Sequence, residues 1–296
     1  MIPIRYVEPV FRPPSEAESL ILPVTDGCSW NECTFCEMYT APQKKFRARD
    51  EAEVLESIRL TGERYGDQVR RVFLADGDAT VLPTRRLLAI LAAIRAHLPA
   101  VRRISSYCLP RNLRRKSQAE VDELAAAGLS MVYVGAESGD DKVLAAVHKG
   151  ETFETTREVL DKLGAAGITR SVMILNGLGG NVYSRQHAEN SARLANATQP
   201  EYLATLVVSF PLGEQRFRAG FPEWEPLSQH ELFVETEQLL SALELKRTVF
   251  RSDHASNWLV LKGTLGADKE RLLAQVRQAI ASPEKAHLRP AWARGL

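Results

Sequence analysis

Three of the four cysteines, Cys28, Cys33 and Cys36, fall within nine residues, in the segment Gly27-Cys28-Ser29-Trp30-Asn31-Glu32-Cys33-Thr34-Phe35-Cys36. A C-x4-C-x2-C run of thiolates is a soft-ligand set, suited to zinc or to iron–sulfur chemistry. Structural zinc takes four ligands, commonly as two separated pairs, and only Cys108 remains to complete such a set. The plant-type [2Fe–2S] pattern begins with the same spacing and needs a fourth cysteine. Its proteins are small, whereas Cys108 lies far downstream, beyond two strand-helix units. Three buried structural thiols are a fourth reading, against which stand the turn-forming neighbours Gly27, Ser29 and Asn31. The favoured reading is a cubane, in which three thiolates bind three irons and the fourth iron stays open to a small molecule.

Such a loop needs a scaffold, and the rest of the sequence describes one. The 296 residues carry 38 basic and 37 acidic side chains, a net charge of +1, with 45% hydrophobic and 25% charged residues. This is a globular composition, with no charge excess drawing the chain to nucleic acid or an anionic membrane. Residues 1–6 contain no apolar signal core, and no run of about 18 apolar residues occurs. A cytoplasmic protein without a disulfide framework is expected.

Nearly continuous apolar runs at residues 19–24, 72–75, 103–107, 131–135, 171–175 and 202–208 predict six strands buried on both faces. Helical patterns separate them: Leu87, Leu88, Leu91, Ile94 and Leu98 form one apolar stripe, and Ser117 with Glu120 forms a capping box for a helix that Gly128 ends. Residues 161–167 close another helix. Alternation of this kind predicts an α/β protein, a partial (β/α)6 TIM-like barrel of parallel strands. Beyond strand six lie an irregular excursion over residues 210–226, a capped helix from Ser228 to about Leu245, a segment over 248–264 and a last helix from about Ala267. The expected organisation is an arm at 1–18, a barrel at 19–227 and a helical and irregular cover at 228–296, together one structural domain.

Glycine turns recur after three of the predicted strands: Ala75-Asp76-Gly77-Asp78-Ala79, Gly135-Ala136-Glu137-Ser138-Gly139 and Asn176-Gly177-Leu178-Gly179-Gly180. They share the barrel end of the cysteines, where barrel chemistry sits, and can converge on one ligand. The first strand, the clustered cysteines with Phe35 before the last, and the six strand-helix units resemble the radical S-adenosylmethionine (SAM) superfamily over about residues 20–210. The family's usual spacing is C-x3-C-x2-C, so this loop carries one extra residue between Cys28 and Cys33. The Gly135 to Gly139 segment resembles the branch of methylthiotransferases and oxygen-independent coproporphyrinogen oxidase-like proteins.

The resemblance implies a [4Fe–4S] cluster on Cys28, Cys33 and Cys36, with SAM on its open iron and Phe35 among the cofactor contacts. It implies that Gly77 and Asp78 meet the methionyl amine, with Asp76 where the family has a first glycine. Glu137 and Ser138 would meet the ribose or methionyl end, and Lys149 the SAM carboxylate, without the bidentate fork of arginine. His148 reads as a half-exposed helix residue. Asn176 and Gly177 would lie along the adenine. The implied chemistry is reductive cleavage of SAM to a 5′-deoxyadenosyl radical that abstracts hydrogen from a small or medium-sized substrate. It needs an external one-electron reductant of flavodoxin or ferredoxin type and falls in an oxidoreductase or lyase class.

Substrate-side candidates follow strand three: Tyr107, Cys108 and Arg111. Cys108 reads as a hydrogen donor or as a packed thiol. The run Arg111, Arg114, Arg115 and Lys116 reads as an anion contact or a solvated helix entrance, and the run from Lys44 to Arg47 likewise. Neither gives the basic field that tRNA would need, so neither nucleic acid nor a membrane is an expected partner. Residues 251–258 are dense in hydrogen-bonding groups, with His254 read as a structural closure. No second cluster, cobalamin domain or RNA-binding appendage is expected. The alternative is a non-catalytic iron–sulfur or haem-handling protein on the same barrel.

Overall fold

The computed structural model describes residues 3–294. Among them the main sheet has eight strands, joined in chain order: β1 (Leu20–Pro23), β2 (Arg71–Ala75), β3 (Arg103–Tyr107), β4 (Leu129–Glu137), β5 (Thr169–Asn176), β6 (Tyr202–Val207), β7 (Val249–Ser252) and β8 (Leu261–Thr264). Parallel pairing runs from Leu20 opposite Val72 in β1–β2 and from Tyr202 opposite Val249 in β6–β7, and the closing β7–β8 pair is antiparallel. The α-helices of the described residues are α1 (Glu51–Tyr65), α2 (Thr84–His97), α3 (Pro110–Leu113), α4 (Gln118–Ala127), α5 (Asp141–Ala146), α6 (Phe153–Ala165), α7 (Gly180–Thr198), α8 (Gln215–Gly220), α9 (Gln229–Ala242) and α10 (Lys269–Ala281). This is the partial-barrel pattern expected, carried two strands further than the six apolar runs.

The helix ends follow local chemistry. Ser117 and Glu120 form the capping box of α4, and Gly128 ends it at a φ of 116°. Ser228 and Glu231 cap α9 in the same way. Each box satisfies two otherwise orphaned backbone donors.

Two compact units divide the chain. The first holds the residues up to Asn31, Met38–Val134 and Lys162–Arg170. Inside it Phe73, Tyr107 and Tyr133 meet edge to face at 5.1 to 6.2 Å and pack with Ile21, Ala75 and Met131. Edge-to-face contact suits the ring quadrupoles and lets large rings fill the space between strands. Beside them the buried Glu16 carboxylate accepts from Tyr133 Oη at 2.5 Å and Ser105 Oγ at 2.9 Å, and pairs with Arg103 at 3.0 Å. A buried charge is tolerable only when paired and hydrogen-bonded in this way.

The second unit holds Glu32–Glu37, Gly135–Asp161 and the residues from Ser171 onward. In it α9 packs on both α7 and α10. The excursion after β6 is not featureless: Phe217 of α8, Phe221 just past its end and Trp224 are buried with Val143, Val147 and Leu178, and Phe35, Tyr183 and Phe210 pack against them.

The dense connection after β7 closes structure, as expected of His254. Asn257 Nδ2 donates to Thr205 O at 2.8 Å, and Arg289 donates to the carbonyls of His254 and Asn257. His254 Nδ1 accepts from the Ser256 amide at 3.2 Å. Burial, then the Arg289 charge, holds this imidazole below its ordinary pKa of 6.5. The unfolded chain therefore binds a proton near pH 6.5 that the folded chain refuses, so the site loses stability as pH falls through that value. Urea midpoints measured between about pH 5 and 7.5 should fall more steeply for the wild type than for His254→Gln. Parallel curves would remove His254 as the cause.

Candidate cofactor site

In the first unit the turn after β2 is built onto the entry of the cysteine loop. Gly77 N donates to Gly27 O at 3.1 Å. A Cβ on Gly77 would lie 2.6 Å from Gly27 O and 2.8 Å from the Cα of Cys28, so only glycine permits this approach. Gly27 itself stands at a φ of 68°, where a side chain would meet Lys44 O at 2.0 Å.

The acids flanking Gly77 are committed to the protein interior. Asp76 pairs with the Lys44 ammonium, and Gly27 N donates to it at 3.4 Å. Burial raises the Asp76 carboxyl and Lys44 opposes the rise. Lys44 is 1% exposed and also donates to Val7 O at 2.6 Å. Lys44 is therefore no part of a solvated face, whereas Lys45, Phe46 and Arg47 are exposed and Arg47 pairs with Asp26 at 2.6 Å.

Asp78 Oδ1 accepts from Thr80 N at 2.9 Å and Thr80 Oγ1 at 2.5 Å, while Oδ2 accepts from Asn112 Nδ2 and, at 3.5 Å, Ser29 Oγ. Burial pushes this carboxyl up to about 6 against those donors.

Cys108 is buried, its amide donating to Tyr133 O at 2.9 Å and its sulfur accepting from Thr80 Oγ1 at 3.8 Å. The Arg111 guanidinium lies over the Trp30 ring, 3.4 Å from its centroid. Its companions diverge: Arg114 and Arg115 are exposed, whereas Lys116 is buried and donates to Leu82 O at 2.7 Å. Tyr107 stacks in the aromatic cluster described above.

In the second unit Cys33 and Cys36 share one turn, with Cys36 N donating to Cys33 O at 3.2 Å. Three contacts hold it: Thr34 N to Val147 O at 3.0 Å, Arg216 Nη1 to Cys36 O at 2.7 Å, and Leu212 N to Glu37 Oε2 at 3.1 Å. Phe35 points into the aromatic cluster of α8. The four cysteines form no disulfide among the described residues. No three of the described His, Cys, Asp or Glu side chains are grouped to hold a single metal ion. Thiolates are the donors that iron–sulfur clusters take, so the chemistry of the cysteine side chains suits that group.

Glu137 ends β4 at a left-handed φ of 63°, which folds its carboxylate back over Gly135. Such a conformation is costly for a non-glycine residue and is kept by its surroundings. The buried Lys149 supplies them, its Nζ 3.2 Å from Glu137 Oε1. Burial opposes the Lys149 charge, but Glu137, Cys33 and Glu151 together hold the ammonium above its ordinary pKa. His148 is exposed at a φ of 52°, just past α5 rather than within a helix.

The Ser138 hydroxyl is fully buried and bonds to His187 Nδ1 at 2.8 Å. Asn176 Nδ2 donates to Thr236 Oγ1 at 3.1 Å. Gly177, at a φ of 81°, has its amide on Glu235 Oε1 at 2.6 Å and its carbonyl on Trp224 Nε1 at 3.1 Å. A cavity of about 180 Å³ opens here, lined by Gly177, Val207, Phe210, Trp224, Leu227 and Leu232 among others. Sequence reasoning missed His187, Trp224 and Glu235. An acid among the buried Leu232, Phe233 and Leu239 of α9 was the available sign of the last.

No described helix is long and apolar enough to cross a membrane. The sequence model of the radical SAM superfamily matches residues 22–195. Among solved structures, the fold is similar to the radical S-adenosylmethionine methyltransferase TsrM from Kitasatospora setae, with 20% identity and a TM-score of 0.52 over 63% of this chain and 36% of that one. It is similar to coproporphyrinogen III oxidase HemN from Escherichia coli at 16% identity and a TM-score of 0.56, covering 75% of this chain and 52% of that one. Methylornithine synthase PylB matches at 14% identity and a TM-score of 0.55, covering 92% of this chain and 74% of its own. The chain thus spans little more than a third of TsrM's length. At these identities the likeness is one of fold.

Proposed function

The chain belongs to the radical SAM superfamily, and on that premise we propose that it is an enzyme that binds one [4Fe–4S] cluster through Cys28, Cys33 and Cys36, cleaves SAM reductively and abstracts hydrogen from a small or medium-sized substrate. When bound, the cluster supplies one electron to SAM, whose sulfonium breaks to give methionine and a 5′-deoxyadenosyl radical.

The observation that carries this reading is the contact of Gly77 with Gly27 and Cys28, which leaves no room for a Cβ. It ties a turn after β2 to the first thiolate, as a site for a ligand on that iron requires. In this reading the buried Lys149 ammonium faces the SAM carboxylate and holds Glu137 in place beside it. Asp78 and Ser138 spend their side chains on internal bonds, so their part is to fix the turns. Asn176 and Gly177 border the adenine, and Phe35 limits water near the cluster. Tyr107, Cys108 and Arg111 belong to the substrate side, where Arg111 stacked on Trp30 offers a positive edge. The electron comes from an external flavodoxin- or ferredoxin-type donor.

The test is anaerobic reconstitution followed by SAM and dithionite. 5′-Deoxyadenosine is the expected product. Intact SAM beside a fully loaded cluster would overturn the reading and favour non-catalytic iron–sulfur or haem handling.

A further inference from the structure

The residues that hold Gly177 come from outside the segment matched by the family. Trp224 and Glu235 lie beyond residue 195, yet they take the carbonyl and the amide of this one glycine. Glu235 is 1% exposed, and its second oxygen accepts from Ser184 Oγ at 2.6 Å. Such full use of a buried carboxylate by fixed donors is the arrangement that rigidifies a polar network.

The network reaches a second turn. Ser138 Oγ accepts from the Asp140 amide at 3.0 Å and shares a hydrogen bond with His187 Nδ1 at 2.8 Å. His187 Nε2 is buried without a hydrogen-bond partner among the described residues and lies 4.0 Å from Glu235 Oε1. A buried polar row runs from Ser138 after β4, past His187 on α7 and Glu235 on α9, to Gly177 after β5, with the 4.0 Å approach of His187 to Glu235 as its one step that is not a hydrogen bond. Burial raises the Glu235 carboxyl, and His187, Ser184 and the Gly177 amide work against that rise.

We propose that Glu235 is a positioning residue for SAM: it fixes the Gly177 turn directly and, through His187, sets that turn relative to the Ser138 turn. This rests on the reading that both turns border SAM. Glu235 touches neither cofactor nor substrate; it acts through the backbone it holds. Trp224 completes the clamp by donating to the carbonyl of the same glycine.

The test uses the cluster-loaded full chain. It reads iron and sulfide content, the thermal midpoint, the SAM dissociation constant by equilibrium dialysis, and both the KM for SAM and the turnover rate of its cleavage. Glu235→Ala should load the cluster normally and raise the SAM Kd and KM about tenfold, the loss expected for one charge-assisted hydrogen bond. Its turnover rate at saturating SAM should stay within about twofold, because the clamp acts on binding rather than on bond cleavage. Glu235→Gln, which keeps an acceptor for Gly177 and a donor for Ser184, should restore affinity to within about threefold. In the Glu235→Ala background, Ser138→Ala should cost less than it does alone, since the path is already cut. Wild-type SAM affinity in a folded Glu235→Ala protein overturns the proposal. Should that variant not fold, Trp224→Phe decides, because it removes the bond to Gly177 O and keeps an aromatic ring beside Phe210 and Phe217; unchanged affinity there overturns the proposal equally. A wild-type protein that loads its cluster and fails to bind SAM would instead sink the underlying reading.

Discussion

Replacing Cys33 with alanine should abolish cluster loading and 5′-deoxyadenosine formation together, while replacing Cys108 should leave both intact. Cys33 is buried on the turn it shares with Cys36. In a cubane held by three thiolates, three irons have one protein ligand each and the fourth has none, so losing one thiolate uncovers a second iron. Cys28→Ala and Cys36→Ala should behave as Cys33→Ala does. Cys108 has contacts of its own, its sulfur 3.8 Å from Thr80 Oγ1 and its amide hydrogen-bonded to β4. Its replacement removes one small buried atom, at a cost of about 1 kcal/mol. Iron and acid-labile sulfide per chain, with electron paramagnetic resonance of the reduced protein, measure the first effect; chromatography of the nucleoside product measures the second. Loss of the cluster in Cys108→Ala with retention in any of the other three would make Cys108 a ligand and reopen the closed-site readings.

Lys149→Met should be the most destabilising single change in the second unit, by about 3–5 kcal/mol, the usual consequence of stranding one member of a buried ion pair. The Glu137 side chain is 12% exposed and that of Lys149 5%, so water cannot take over the role of the lost ammonium. Glu137 also stands in the left-handed region, and its conformation is kept by the partner that the substitution removes. Adding Glu137→Gln should recover a large part of the loss, because the double variant leaves no charge unpaired. Urea unfolding of the single and double variants gives the coupling. Additive losses would mean that the pair is not coupled and that Glu137 is held by its other neighbours. SAM affinity should fall in both variants, since neither keeps the buried cation.

The six apolar runs were legible because strands covered on both faces need little but apolar side chains, and β1 to β6 fall where those runs lie. β7 and β8 were not legible as strands, since Arg251 and Lys262 break each of these four-residue stretches. The capping boxes at Ser117 and Ser228 were readable for the opposite reason, as their partners are three residues away. Lys44 shows where local reading stops. It sits in a basic run that looks solvated, and its counter-charge is Asp76, 32 residues further on. Nothing within a window around Lys44 announces that pairing. The same holds for Glu235, whose partners Gly177 and Ser184 lie more than 50 residues away. The cysteines stood out because metal chemistry constrains residue type and spacing within a single loop. The residues that orient the turns are chosen by the fold as a whole.

The pairing of β1 with β2 does not end where the strands do. Val24 N donates to Ala75 O at 2.6 Å, and Gly77 N returns to Gly27 O at 3.1 Å, one residue before Cys28. The first cysteine thus follows directly on a backbone bond between the two segments. Its backbone is already ordered before any metal binds, so this part of the conformational entropy is lost on folding and not again when iron arrives. Assembly then has a fixed starting point, to which the remaining two thiolates add.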